Sequence, residues 1–199
     1  SAFKIIEACV KQPLNELTLF VLSRENLLYR PKFELKYLAD ILVEAVAMNK
    51  NKLVDYGVKV KIVGDVSVFS PEVQQALSLL VEITADCQKM QLNLAINYSG
   101  QWHLLECMKQ IKNVNGANID SMVNELMFKD MSPCDLLIRT GNEKRISNFF
   151  FWHIAYSEIY FSNKFWPDFT ESDLIAILDW FSLRTRRLGG RVRSFESVS

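Results

Sequence analysis

The sequence predicts an α/β domain: a single unit with a mostly parallel central sheet flanked by helices. Three observations carry that prediction. Short apolar or alternating runs, the mark of strands, recur at residues 17–22, 58–63, 92–97 and 135–139. Segments with helical spacing lie between most of them, and strands that alternate with helices favour a parallel sheet. Cap and turn residues (Gly57, Gly64-Asp65, Ser70-Pro71, Ser99-Gly100) mark the changeovers.

The elements follow in order. Residues 17–22 (L-T-L-F-V-L) read as a buried strand. After Pro31, residues 33–56 place Leu35, Leu38, Ile41, Leu42, Ala45, Val46 and Met48 at helical spacing, with Gly57 as the stop. Residues 58–63 (V-K-V-K-I-V) alternate as a strand ended by Gly64-Asp65. Ser70 as N-cap and Pro71 as first helical residue open a helix to about residue 87. Residues 92–97 form another strand, and Ser99-Gly100 begins a helix to about residue 112. A polar loop at 113–118 leads to a short helix capped by Asp120, then to a strand at 135–139 and a polar loop at 140–147. Residues 149–155 read as a buried helix and 158–161 as a strand. Thr170-x-x-Asp173 has the form of a capping box before a last helix to about residue 188.

Composition narrows the function. Hydrophobic residues at 49% and charged residues at 23% describe an ordinary globular chain, which sets aside disorder, collagen and coiled coil. Lys and Arg balance Asp and Glu at 23 each, against a general nucleic-acid binder. Only seven glycines leave little room for glycine-rich phosphate loops, and two histidines are too few for a multi-histidine zinc site. Cys9, Cys87, Cys107 and Cys134 form no C-x-x-C pair and read as free thiols in a reducing compartment. No uncharged run has the length of a membrane span and no signal peptide opens the sequence, so a cytoplasmic protein is expected.

Loops at the carboxyl ends of parallel strands collect chemistry. Three such loops are unusually polar: residues 23–30, 65–67 and 139–147. The third carries Arg139, Lys144, Arg145, Ser147 and Asn148 around Gly141. Two guanidinium forks six residues apart, with a hydroxyl two further on, suit a diphosphate. A surface salt-bridge cluster with Glu143 explains the same residues. In the first loop Ser23, Asn26 and Arg30 supply a hydroxyl, an amide and a cation, or ordinary turn chemistry. Glu158 lies between apolar rings, where a carboxylate needs a cation or a salt bridge.

These residues resemble the cis-prenyltransferase family, with the bacterial undecaprenyl diphosphate synthases as the nearest likeness. D-L-L-I-R-T-G-N-E-K-R-I-S-N-F at 135–149 and F-F-W-H-I-A-Y-S-E-I-Y-F-S-N-K-F-W-P-D-F at 150–169 carry the likeness. V-K-V-K-I-V-G-D at 58–65, L-N-L-A-I-N-Y-S-G at 92–100 and S-R-E-N…R-P at 23–31 follow the family's order. The resemblance covers residues 1–190, with 191–199 as a C-terminal tail. It implies a non-Rossmann α/β fold, a homodimer, and condensation of an allylic diphosphate, usually farnesyl diphosphate, with isopentenyl diphosphate to a long cis-polyprenyl diphosphate such as undecaprenyl diphosphate, a carrier-lipid precursor for cell-wall glycans. It also implies at most peripheral contact with the inner membrane face.

By the same resemblance Ser23, Arg24, Glu25, Arg30, Arg139, Arg145, Ile146 and Ser147 bind substrate. Asn26 matches the residue assigned to removing the proton; an amide is a poor base, so it reads as a positioner. Glu158 is implied to help hold Mg²⁺, and Arg187 and Gly189 to approach the partner subunit's site. An apolar tunnel walled by the helix at 33–56 and the strands is implied for the growing chain. Val21 and Ile96 stand where bulk limits product length, or are plain strand core.

The sequence departs from the family in four places: Asn142 for a small residue, Lys144 for histidine, Leu27 for tryptophan, and one extra residue before Arg30. It begins after the family's first strand and D-G-N-G-R-W loop. Residues 1–199 alone are therefore expected to lack turnover, and a non-catalytic partner subunit of a heteromeric enzyme is the alternative. A nucleotide-binding module has no support, since both G-x-G-x-x-G and G-x-x-x-x-G-K-[ST] are missing.

Overall fold

A computed structural model describes residues 2–111 and 118–185. The expected tail, Arg187, Gly189 and most of the expected 113–118 loop fall outside those residues.

The apolar runs form strands as expected. β1 (Glu16–Ser23), β2 (Val58–Val63) and β3 (Met90–Tyr98) make a parallel sheet in the order β1-β3-β2. β4 (Leu136–Arg139) and β5 (Glu158–Phe161) form a separate parallel pair. The central strand β3 carries the heaviest apolar load, as a strand covered on both faces must. It sends Leu92, Leu94 and Ile96 into the larger core cluster. Val21 is skipped in the β1–β3 register, between Phe20 opposite Ala95 and Leu22 opposite Ile96, and this irregularity leaves it 44% exposed.

The helices are α1 (Ala2–Val10), α2 (Arg24–Tyr29), α3 (Lys32–Asp55), α4 (Pro71–Ile83), α5 (Gly100–Gln110), α6 (Ile119–Met127) and α7 (Glu171–Ser182). α1, which the sequence reading left unassigned, places Ile5, Ile6, Ala8, Cys9 and Val10 in the core beside Leu174 and Ile177 of α7. Thr84 fastens α4 to the sheet: its fully buried hydroxyl donates to the Leu80 carbonyl (2.8 Å) and accepts the Val60 amide (3.0 Å). A smaller cluster gathers Ala95, Tyr98, Met131, Leu137, Phe150 and Ile154.

Several expectations are corrected. Residues 149–155 form bends and then turns, not a helix; Phe150 holds φ of 49°, and Ser147 and Asn148 just before hold 48° and 59°, which a right-handed helix cannot contain. Residues 24–29, expected as loop, close into α2 because Ser23 and Asn26 form a capping box. α6 is capped by the Asn118 side chain, with Asp120 in its first turn. α4 ends at Ile83, and α7 ends at Ser182 where its carbonyls are taken by Leu183. Ser70 occupies the α4 N-cap without a side-chain bond, whereas Thr170 and Asp173 form the expected capping box.

Candidate active site

The carboxyl ends of β1, β2 and β3 meet at one edge of the sheet, and the loops that leave them hold each other. Gly64 turns the chain after β2 with φ 126°; a Cβ there would lie 1.9 Å from the Ile96 carbonyl oxygen. Only glycine permits that approach. Asp65 follows. Its carbonyl accepts the Asn97 side-chain amide at 2.6 Å, and its carboxylate caps Ser67. The Ser67 hydroxyl first, and Arg24 beyond it, hold the Asp65 carboxyl below the usual range. Arg24, the first residue of α2, spans this edge: Nη1 is 3.7 Å from Asp65 Oδ2 and its guanidinium carbon lies 5.2 Å over the Trp102 ring. That Nη1 is buried and has no hydrogen-bond partner among the described residues. An open groove of about 540 Å³ runs past Arg24, Asp65, Trp102, Leu105 and Lys109.

In the first loop, Ser23 Oγ accepts the Asn26 amide (3.1 Å) and Asn26 Oδ1 accepts the Ser23 amide (3.4 Å). The Asn26 carbonyl oxygen is thus turned to the backbone, and its Nδ2 is the end left to donate. Arg30 pairs with Glu34 at 2.6 Å at the start of α3. Glu25 Oε1 accepts Asn148 Nδ2 at 3.0 Å, which joins α2 to the 139–148 loop across 123 sequence positions.

The 139–148 loop leaves the end of β4. It is stitched to the chain after β5 by Ser162 N–H to the Arg139 carbonyl (2.7 Å), Gly141 N–H to the Lys164 carbonyl (2.7 Å) and Asn142 N–H to the Ser162 carbonyl (3.0 Å). Arg139 is partly buried, and it is the one arginine among the described residues without an ion pair. Arg145 is exposed and bonded to Glu143, the salt bridge anticipated as the alternative to a diphosphate site. Ile146 packs into the smaller core cluster and Ser147 is exposed. Left-handed φ at Asn142, Ser147, Asn148 and Phe150 is a concentration of strain of the kind that marks functional loops, at roughly 1–3 kcal/mol each.

Glu158 forms the salt bridge anticipated as the alternative to a cation site, away from the loop arginines. It pairs with Leu136 at the amino end of β5, whereas Arg139 pairs with Phe161. Three residues of register set Glu158 about 10 Å along the strands from Arg139 and on the opposite face of the pair. Its Oε2 accepts Arg184 Nε at 3.1 Å. No group of three His, Cys, Asp or Glu side chains is placed to hold a metal among the described residues. Glu158 with its arginine does not by itself fit a Mg²⁺ site within one chain.

The groove past Arg24 is walled by α2 and α5, without a contribution from α3. The second groove, along Ile62, Val66, Leu77 and Val81, also stays clear of α3. α3 instead presents Phe33, Tyr37, Ile41 and Met48 outward, with Phe33 77% exposed. Ile96 is fully buried core and Val21 is not. Sequence reasoning placed Asp65 and Asn148 in polar loops without a role of their own and missed Gln101 and Trp102, whose position just past the end of β3 was the available signal. No helix among the described residues is long and apolar enough to cross a membrane.

Comparison with known proteins matches residues 1–189 to a family model described as putative undecaprenyl diphosphate synthase. The chain belongs to this family. A ditrans,polycis-undecaprenyl-diphosphate synthase, (2E,6E)-farnesyl-diphosphate specific, from Buchnera aphidicola subsp. Schizaphis graminum is 39% identical over 198 residues, covering 96% of this chain and 79% of the relative. The enzyme of the same description from Pseudomonas aeruginosa is 38% identical over 193 residues, covering 93% and 76%. Among solved structures, a probable undecaprenyl diphosphate synthase from Campylobacter jejuni superposes with a TM-score of 0.81 at 29% identity, covering 94% of this chain and 89% of that one. Lavandulyl diphosphate synthase from Lavandula x intermedia, in complex with dimethylallyl diphosphate, gives a TM-score of 0.82 at 27% identity, covering 92% and 82%. The undecaprenyl diphosphate synthase family thus accounts for the fold, the α/β arrangement with parallel strands flanked by helices.

Proposed function

We propose that the protein condenses isopentenyl diphosphate onto an allylic diphosphate, farnesyl diphosphate by the description of its relatives, to build a long cis-polyprenyl diphosphate such as undecaprenyl diphosphate. In each addition a new carbon–carbon bond forms at the allylic carbon, its diphosphate leaves, and a proton is lost from the isopentenyl unit. The observation that carries this reading is the Asn148–Glu25 bond, which brings the Ser23–Arg30 segment against the Arg139–Ser147 loop.

Arg139, the one arginine without an ion pair among the described residues, is a cation available to a diphosphate. Arg145 joins it on exchanging Glu143 for phosphate oxygens, and Ser147 adds a hydroxyl. Asn26 offers its Nδ2 as a donor that orients the isopentenyl diphosphate, while its oxygen stays in the cap. Arg24 and Glu25 bear on the substrate by fixing α2, and Ile146 anchors the loop beneath Ser147. The outward apolar stripe of α3 suits a growing hydrocarbon chain.

Mg²⁺ belongs to this reading as an ion carried by the diphosphates, which supply most of its oxygens. Glu158 joins it only by releasing Arg184 or by facing ligands beyond the described residues. A homodimer, with Arg187 and Gly189 near the partner's site, is also part of the proposal. Exposed Ile159, Phe161, Phe165 and Leu183, on and after the end strand β5, supply apolar surface for it. So are the cytoplasmic location and a peripheral contact with the membrane. The expectation that residues 1–199 alone lack turnover gains no support from the family match.

The test is radiolabelled isopentenyl diphosphate with farnesyl diphosphate and Mg²⁺, products sized by chromatography. A ladder of cis-prenyl products supports the proposal, and absence of any elongation by the full-length protein overturns it.

A further inference from the structure

Asn148 makes more cross-element bonds than its sequence neighbours, and its hydrogen-bonding side-chain atoms are both engaged. Nδ2 donates to Glu25 Oε1 on α2 (3.0 Å) and to Gln101 Oε1 (3.4 Å). Oδ1 accepts the Gln101 amide in the first turn of α5 (3.1 Å), and the Asn148 carbonyl accepts the Gly100 amide (2.7 Å). Three separate parts of the chain therefore meet on one residue: α2, the start of α5, and the loop from β4.

The residue type follows from the job. The backbone is left-handed, with φ 59°, a conformation asparagine tolerates better than most residues. The side chain must donate in one direction and accept in another, which a carboxamide does and a carboxylate does not. The approach is also tight: a Cβ on Gly100 would lie 3.2 Å from the Asn148 carbonyl oxygen and 2.4 Å from the Phe151 ring. Glu25 gives one carboxylate oxygen, Oε1, to this bond.

We infer that Asn148 is a positioning residue, the clamp that sets the distance between Asn26 on α2 and the Arg139–Ser147 loop. The inference rests on the proposed prenyl transfer, in which those two groups act on one isopentenyl diphosphate. In this role Asn148 acts through Glu25 and the start of α5 rather than on the substrate. Released from Glu25, the loop and α2 lose their mutual register, and misplacement of about 1 Å at a reacting centre costs up to ~100-fold in rate.

The test compares full-length parent protein with Asn148→Asp and with the double variant Asn148→Asp, Glu25→Gln. The single change removes the donor and sets two carboxylates together. The double change restores the bond with its direction reversed, the new amide donating to the new carboxylate, while the Gln101 amide keeps its acceptor. Asn148→Asp is expected to raise the KM for isopentenyl diphosphate about tenfold, with the KM for farnesyl diphosphate within twofold of the parent; the double variant is expected to return to within threefold. Hydrogen exchange gives a readout independent of turnover: the amides of Gly100 and Gln101 exchange faster in the single variant and recover in the double. A parent that elongates nothing defeats the prenyl-transfer reading, and exchange alone then decides the clamp. A single variant with parental KM and parental exchange, or a folded double variant no better than the single, overturns the clamp.

Discussion

Arg184 Nε donates to Glu158 Oε2 at 3.1 Å, and the guanidinium carbon of Arg184 lies 5.4 Å from the Trp180 ring centroid. The pair ties the amino end of β5 to the chain just past α7. Both partners keep some exposure, so the coupling is that of a screened surface pair, about 0.5 kcal/mol. A double-mutant cycle on Glu158→Gln and Arg184→Gln, read by urea denaturation, should show that value shrinking in high salt. A Mg²⁺ titration of Glu158→Gln then shows whether the same carboxylate has a second task.

Arg145 is held by Glu143. Removing the arginine should raise the KM for isopentenyl diphosphate about tenfold or more, because a charge-assisted bond to phosphate is lost. Glu143→Gln should lower that KM by two- to threefold, since the guanidinium no longer has to leave a carboxylate. Steady-state kinetics on the full-length protein check both; opposite signs are the point, and parallel changes would remove Arg145 from the site.

Two glycines with positive φ should respond very differently to alanine. At Gly64 the new methyl would meet the Ile96 carbonyl at 1.9 Å, so Gly64→Ala should cost about 4 kcal/mol or more, or prevent folding. At Gly141 the nearest neighbour is the Phe165 ring at 3.9 Å, and only the φ of 86° is strained, worth about 1–2 kcal/mol. Thermal melts of the two variants should separate clearly.

His153 should make the fold sensitive to acid. Its ring is buried, Nε2 bonds the Met127 carbonyl at 2.9 Å, and Nδ1 is buried without a partner among the described residues. Burial first, and the stacked His103 ring 5.6 Å away, push its pKa from 6.5 down to about 4. Above pH 6.5 both folded and unfolded forms are neutral and stability is full. As pH falls from 6.5 towards 4 the unfolded chain takes up a proton that folded His153 refuses, so stability drops, by about 3 kcal/mol at the bottom of that window. His153→Leu should flatten this slope in denaturation curves at pH 7 and pH 5. An unchanged slope would assign the acid sensitivity elsewhere.

The strands were legible because β1 to β5 are short apolar or alternating runs between clear turn residues, and packing agreed with pattern. α2 was not, because S-R-E-N has the chemistry of a turn and of a cap alike, and only the Ser23–Asn26 bonds decide between them. Residues 149–155 failed in the other direction: their apolar content suggested a buried helix, but backbone sign is invisible in side-chain hydrophobicity. In the candidate site the arginines, Ser147 and Asn26 were legible from side-chain chemistry in polar loops after strands, and from the family motifs. The Asn148–Glu25 contact could not be, since it links positions 123 apart and depends on how two loops dock. Nor could the face of Glu158, which needs the β4–β5 register as well as strand parity.

The parallel β1-β3-β2 sheet ends at β1, whose outer row of amides and carbonyls has no strand beside it among the described residues. An open row of hydrogen-bonding groups of that kind is an invitation to any extended chain. A short β-forming peptide should therefore dock along this seam, read as slower hydrogen exchange at the amides of β1.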